Sequence, residues 1–155
     1  MIPPGALFLG LMGLLPFVYC ALVMVWPDFD IVRPYWGAAD NIAQIYGLVI
    51  LCFMAGALWG FATKTARPWG YILSVLPALW GFFIATTPQN MSFISLIYGF
   101  GGLLILDFWF WSQGLAPVWW MRLRLILTAL VVSALFICDR PALIRSLLPY
   151  LESLI

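Results

Sequence analysis

The chain has 155 residues, 65% of them hydrophobic and only 8% charged, with a mean hydropathy of +1.07. A water-soluble domain carries about 25% charged residues, so this chain lacks the polar surface to stay in water, and its length suits one domain. A formal net charge of +1 with no basic block argues against nucleic acid as a partner; the absence of histidine removes the commonest general base, metal ligand and haem ligand together.

The first apolar span runs from Ala6 to Trp26 and contains Gly10, Gly13 and Pro16. Pro16 has no amide hydrogen, so a kink is expected there that frees the carbonyl of Met12. No positive region precedes the span and no A-x-A site follows it, so it is expected to stay in the protein and not to be cleaved as a signal peptide. Bulky Tyr19 before Cys20 does not suit a lipoprotein site. Cys20, Cys52 and Cys138 sit singly in different apolar segments with no C-x-x-C, so no zinc or iron–sulfur centre is expected. They read as small apolar residues.

From Trp26 to Asn41 the chain mixes Asp28, Asp30, Asp40 and Arg33 with Trp26, Phe29, Tyr35 and Trp36. Alternating rings and charges suit a segment lying in the membrane interface. Asp28 and Asp30 could chelate a cation, but two carboxylates alone are too few, and no metal is assigned. Asp40 or Asn41 is expected to cap the next helix.

That helix, Ile45 to Lys64, is the one around which the rest is organised. Cys52, Gly56, Gly60 and Thr63 recur at helical spacing and give it one narrow face of small residues. In lipid such a face lets another helix approach closely, because packing holds membrane helices together. Trp59 and Phe61 near its end suit the headgroup level.

A tight turn from Lys64 to Pro68 leads to a third span, Trp69 to Thr86, with Pro77 inside it and Ser74 placed to offset part of the broken ladder. After the short turn Thr87–Asn90, a fourth span runs from Phe93 to Trp111. Gln113 to Pro117 is the next turn, and Trp119 to Cys138 the fifth span, with Trp119 and Trp120 expected at the interface. Each span has the ~17–25 residues a crossing needs. In the tail, residues 139–155, Asp139 can act as cap and Pro141 as first-turn proline. Ile144, Leu147, Leu148, Leu151 and Leu154 fall on one side, Arg145, Ser146, Glu152 and Ser153 on the other. This reads as an amphipathic helix in the interface, with Pro149 bending or interrupting it.

The expected fold is therefore all-α: a polytopic membrane bundle of five transmembrane helices over residues 1–138, followed by a C-terminal interfacial helix. Ile45-Tyr46-Gly47 in the second span is echoed by Ile97-Tyr98-Gly99 in the fourth. Either two helical hairpins repeat in parallel, or biased apolar segments coincide by chance. With five crossings, Lys64, Arg67, Arg122 and Arg124 face Arg33, Arg140 and Arg145, a four-to-three balance favouring a cytoplasmic N-terminus.

Asp107 is the sole carboxylate inside a predicted span. A charge at the bilayer centre costs roughly 2.5–3.5 kcal/mol on insertion scales, so it needs a partner. Folding the hairpin at Gly114 brings Asp107 opposite Arg122, with Arg124 close by. The pair is either a clamp holding the hairpin or a site for protons or a substrate, and the clamp is the preferred reading. No nucleophile–base pair, phosphate loop or metal triad occurs, so no enzymatic activity and no cofactor are expected. Thr63, Ser74, Thr128 and Ser133 are expected to bond back to their own helices.

Three stretches together are familiar. They are Gly13-Leu14-Leu15-Pro16-Phe17; Tyr46 to Leu51, continuing through Gly56 to Trp59-Gly60; and Asp107 with Gly114-Leu115-Ala116-Pro117-Val118-Trp119-Trp120-Met121-Arg122-Leu123-Arg124 and Leu127-Thr128. They resemble the DUF3429/TMEM69 family of small integral membrane proteins. The resemblance implies a bacterial inner-membrane or mitochondrial-membrane protein and implies no particular activity. With no Arg-rich stretch ahead of the first span, the bacterial inner membrane is expected. The function expected is that of an accessory or assembly subunit, in contact with lipid and with other membrane subunits or copies of itself. The alternative is a small oligomeric carrier or channel that uses Asp107.

Overall fold

The computed structural model describes residues 1–30, 38–65, 67–86 and 91–152, with only the backbone of Phe29 and of 148–152. Arg33, Tyr35, Trp36, the turn at 87–90 and the end of the tail from Ser153 lie outside the described residues. Five helical segments are long and apolar enough to cross a membrane: Pro4–Val25, Ala39–Ala62, Pro68–Thr86, Phe93–Ser112 and Trp120–Asp139. The protein is a multi-pass, all-α membrane bundle.

The first crossing is two helices, α1 (Pro4–Met12) and α2 (Leu15–Val25), with the break at Gly13 and Leu14. Pro16 lies in the first turn of α2, where its missing amide disrupts nothing, so the chain bends just ahead of the proline. The Tyr46 hydroxyl donates to the Gly13 carbonyl at 3.0 Å, satisfying one backbone group at the break.

Next come α3 (Ala39–Ala62), α4 (Pro68–Thr86), α5 (Phe93–Ser112), α6 (Trp120–Asp139) and α7 (Pro141–Glu152). Helix α3 packs against α2, α4 and α5, while α6 packs against α5 and α2 and closes the bundle. Phe17, Leu51, Leu58, Phe100 and Phe110 fill the centre, all at most 1% exposed. Large apolar side chains such as Phe53, Trp69, Phe82 and Ile105 face outward. In water that distribution would be a liability; in lipid it is the solvated surface.

Four local expectations are corrected. Helix α3 starts at Ala39 and not at Ile45; its N-cap is Ala38 with no side-chain cap, and Asp40 sits in the first turn, favourably placed for the helix dipole. Most of its small face does not pack against the bundle, although Cys52 lies against Gly81 of α4. Cys52, Gly56, Gly60 and Thr63 are exposed, and a Cβ built on Gly56 or Gly60 meets no described atom within 4 Å. The buried face of α3 is Ala43, Gly47, Leu51, Met54, Ala55, Leu58 and Ala62, about half a turn away. Third, Ser74 donates to the Tyr71 carbonyl and not to the carbonyl that Pro77 leaves free one turn back. Last, of the bend or interruption expected at Pro149, the interruption does not occur, and α7 runs on to Glu152. Asp139 does not cap it: it ends α6 and accepts from Arg140 Nε at 2.9 Å. Arg145 reaches back to the Met24 and Val25 carbonyls and closes the C-terminal end of α2.

The two echoed glycines share a role. Gly47 lets Leu96 approach, and Gly99 lets Trp80 and Leu51 approach. Their tyrosines differ, since Tyr46 is bonded within the bundle and Tyr98 is exposed.

Two of the three separated cysteines meet. Cys138 Sγ lies 3.1 Å from Cys20 Sγ, both buried between α2 and α6, whereas Cys52 is exposed. A disulfide needs sulfurs at about 2.05 Å, so a small closure would join them. Mild oxidation with copper phenanthroline is expected to link Cys20 to Cys138 within one chain, as mapped by peptide mass spectrometry. A link from Cys52 to either would contradict this packing.

Candidate functional site

The α5–α6 hairpin builds the site. Gly114 has φ +71°, a conformation that glycine adopts without strain. Its N–H donates to the Trp111 carbonyl at 2.9 Å and that of Leu115 to Phe110 at 3.0 Å, the paired bonds that close a helix and reverse the chain. Lys64 Nζ donates to the Leu115 carbonyl at 2.7 Å, tying the α3–α4 turn to this reversal.

The reversal sets Asp107 against Arg124. Arg124 Nε donates to Asp107 Oδ2 at 2.6 Å, and Trp120 Nε1 donates to Oδ1 at 2.8 Å. Asp107 is 0% exposed and Arg124 4%. Both carboxylate oxygens are engaged, and an aromatic N–H shares the work of the guanidinium. Breaking such a pair from one side leaves a bare charge in an apolar interior.

Arg122, the partner expected first, is exposed and pairs with no carboxylate among the described residues. The reason is helical phase. Trp120, Arg124 and Thr128 are four residues apart and share the inward face of α6, whereas Arg122 is about 160° away from Arg124. Trp120 therefore belongs to the ion pair and not to an outer aromatic belt; its ring also meets Phe61 edge-on at 4.9 Å. Trp119 stacks edge-on with Trp120 at 5.9 Å. Trp59 is half exposed against Tyr71 at 4.9 Å, on the outside of the bundle.

Beside the pair lies an apolar cavity of about 530 Å³ between the α1–α2 break, α3 and α6. Arg124 and Thr128 line it. The sequence leads one to expect Thr128 among the hydroxyls bonded to their own helix. Thr63 and Ser74 do bond so, to Gly60 and Tyr71. Thr128 Oγ1 does not: it and Arg124 Nη2 are buried without a hydrogen-bond partner among the described residues. The four-residue spacing of Trp120, Arg124 and Thr128 was the signal for this polar stripe. Asp28 and Asp30 are not brought to the site, and Asp30 accepts from the Tyr19 hydroxyl at 3.0 Å. Among the described residues, no cluster of three or more cysteine and acidic side chains forms.

The family model described as "Protein of unknown function (DUF3429)" matches residues 2–138. Transmembrane protein 69 of Xenopus tropicalis is 31% identical over 138 residues, which cover 86% of this chain and 53% of that protein. Transmembrane protein 69 of Mus musculus is 30% identical over 134 residues, covering 81% and 51%. The chain spans about half the length of the curated relatives it matches. No solved structure matches it significantly.

Proposed function

The chain belongs to the DUF3429 family, and for this member of it we propose the role of an accessory or assembly subunit in a larger inner-membrane complex. The observation that supports this is the outward turn of Cys52, Gly56, Gly60 and Thr63 on α3. A face of small residues gains little from lipid, whereas a second helix can approach its backbone closely and pack along it. Within this chain Cys52 lies against Gly81 of α4, while Gly56 and Gly60 have open space where a Cβ would stand. The Thr63 hydroxyl is bonded to the Gly60 carbonyl at 2.8 Å, so the face carries no unspent polar group to oppose docking.

The carrier alternative depends on Asp107. Both its oxygens are held, at no exposure, so transport through it would first have to break the pair with Arg124 and Trp120. A proton relay or a substrate carboxylate is not what this geometry favours. No catalytic step is needed for the proposed role.

The test is copurification of the tagged chain from its native membrane in mild detergent. A partner at fixed stoichiometry is expected, and Gly56→Leu and Gly60→Leu should lose it while the isolated chain keeps its melting temperature. A partner retained by both variants would remove α3 as the docking face.

A further inference from the structure

We propose that the cavity between the α1–α2 break, α3 and α6 binds one membrane-dissolved, neutral, carbonyl-bearing molecule, with its carbonyl at Arg124 and Thr128. The first ground is shape. A volume of about 530 Å³ lies within the range of ligand sites, roughly 300–1,000 Å³. Its walls are almost wholly apolar, with Leu14, Phe17, Met54 and Leu127 among them.

The second ground is the polar atoms in that wall. Buried hydrogen-bonding groups are nearly always partnered, so two unspent ones carried by two residues of one wall call for an explanation. Arg124 Nη2 and Thr128 Oγ1 are both buried and unpartnered among the described residues, and both residues line the cavity. A guanidinium nitrogen can only donate, and a threonine hydroxyl can donate as well as accept. One turn apart on α6, they stand one above the other. Both are suited by an acceptor with two lone pairs and no hydrogen of its own to place, as a carbonyl oxygen is.

Charge narrows the class further. The positive charge of Arg124 is already matched by Asp107 at 2.6 Å. An anionic ligand would add a third, unmatched charge in an apolar interior, which is costly. The ligand is therefore neutral.

The route of entry sets its source. Leu9 and Phe53 line the cavity and are 70% and 69% exposed, so it opens sideways onto the apolar outer surface. Helix α1, which forms that side, has no buried residue. What enters comes from the bilayer. Two kinds of membrane molecule carry this chemistry, an isoprenoid-type quinone and an uncharged acyl ester.

Native mass spectrometry of the purified chain, released from detergent, tests the proposal with decylubiquinone, dioctanoylglycerol, hexadecane and octanoate as probes. One equivalent of decylubiquinone or dioctanoylglycerol is expected to be retained, and the one retained more tightly identifies the source. Thr128→Val keeps the shape and removes the hydroxyl. It should weaken the retained carbonyl probe about 3- to 10-fold, the usual weight of one neutral hydrogen bond. Ala57→Phe, on the cavity wall, should abolish retention. Retention of neither carbonyl probe would overturn the proposal. So would hexadecane or octanoate held as tightly, or a Thr128→Val chain that binds the carbonyl probe with unchanged affinity.

Discussion

Replacing Arg124 with leucine is expected to destabilise the bundle by about 3–5 kcal/mol, the cost of leaving one member of a buried ion pair without the other. Asp107 would remain at 0% exposure with only the Trp120 N–H for company. Arginine cannot escape the same fate by reaching outward, because Arg124 is 4% exposed and enclosed by the helices. Arg122→Leu is the control. Exposed and two residues away, it should change stability by no more than about 0.5 kcal/mol. The double variant Asp107→Asn with Arg124→Leu should recover part of the loss, since no unmatched charge is then buried. That non-additivity is the signature of direct coupling. Unfolding by denaturing detergent in mixed micelles measures all three. Equal losses for Arg122→Leu and Arg124→Leu would mean that the pair contributes nothing.

The five crossings were legible because lipid writes its demand into run length: about twenty apolar residues, bounded by turn residues, mean one crossing. The site was half legible. Asp107 announced a need for a partner, and Gly114 showed where the chain reverses. The choice between Arg122 and Arg124 was not visible, because it depends on the phase with which α6 enters after Pro117. A change of two residues in that phase moves a side chain through about 200°. That Gly56 and Gly60 of α3 face outward is not visible in the sequence for a related reason. In a soluble helix polar residues mark the outside, but α3 is apolar on every side, and small residues fit a partner helix whether it comes from the same chain or another. The meeting of Cys20 and Cys138 was beyond any local pattern, since 118 residues separate them.

Gly99→Leu is expected to lose about 3 kcal/mol, the upper part of the range for overpacking a core. A Cβ at Gly99 would lie 2.9 Å from Trp80 Cδ1 and 3.1 Å from both Leu51 Cδ2 and Trp80 Nε1. Neither neighbour yields easily. Trp80 is fixed by the bond from Nε1 to the Ser95 carbonyl at 3.0 Å, and Leu51 is 0% exposed. Gly47→Leu should cost less, because the three atoms nearest to a Cβ there all belong to the end of one side chain, Leu96, with its methyls at 2.9 and 3.3 Å, and no ring stands in the way among them. At Gly56 and Gly60 nothing stands in the way, and loss of glycine's backbone freedom favours the helix by roughly 0.5–1 kcal/mol for alanine. Gly99→Ala and Gly56→Ala should therefore shift the melting temperature in opposite directions. The expected order of stability for the leucine series is Gly56 and Gly60 highest, Gly47 between, Gly99 lowest. A series in which Gly56→Leu falls with Gly99→Leu would put the small face of α3 back inside the bundle. It would then leave that face nothing to offer a partner.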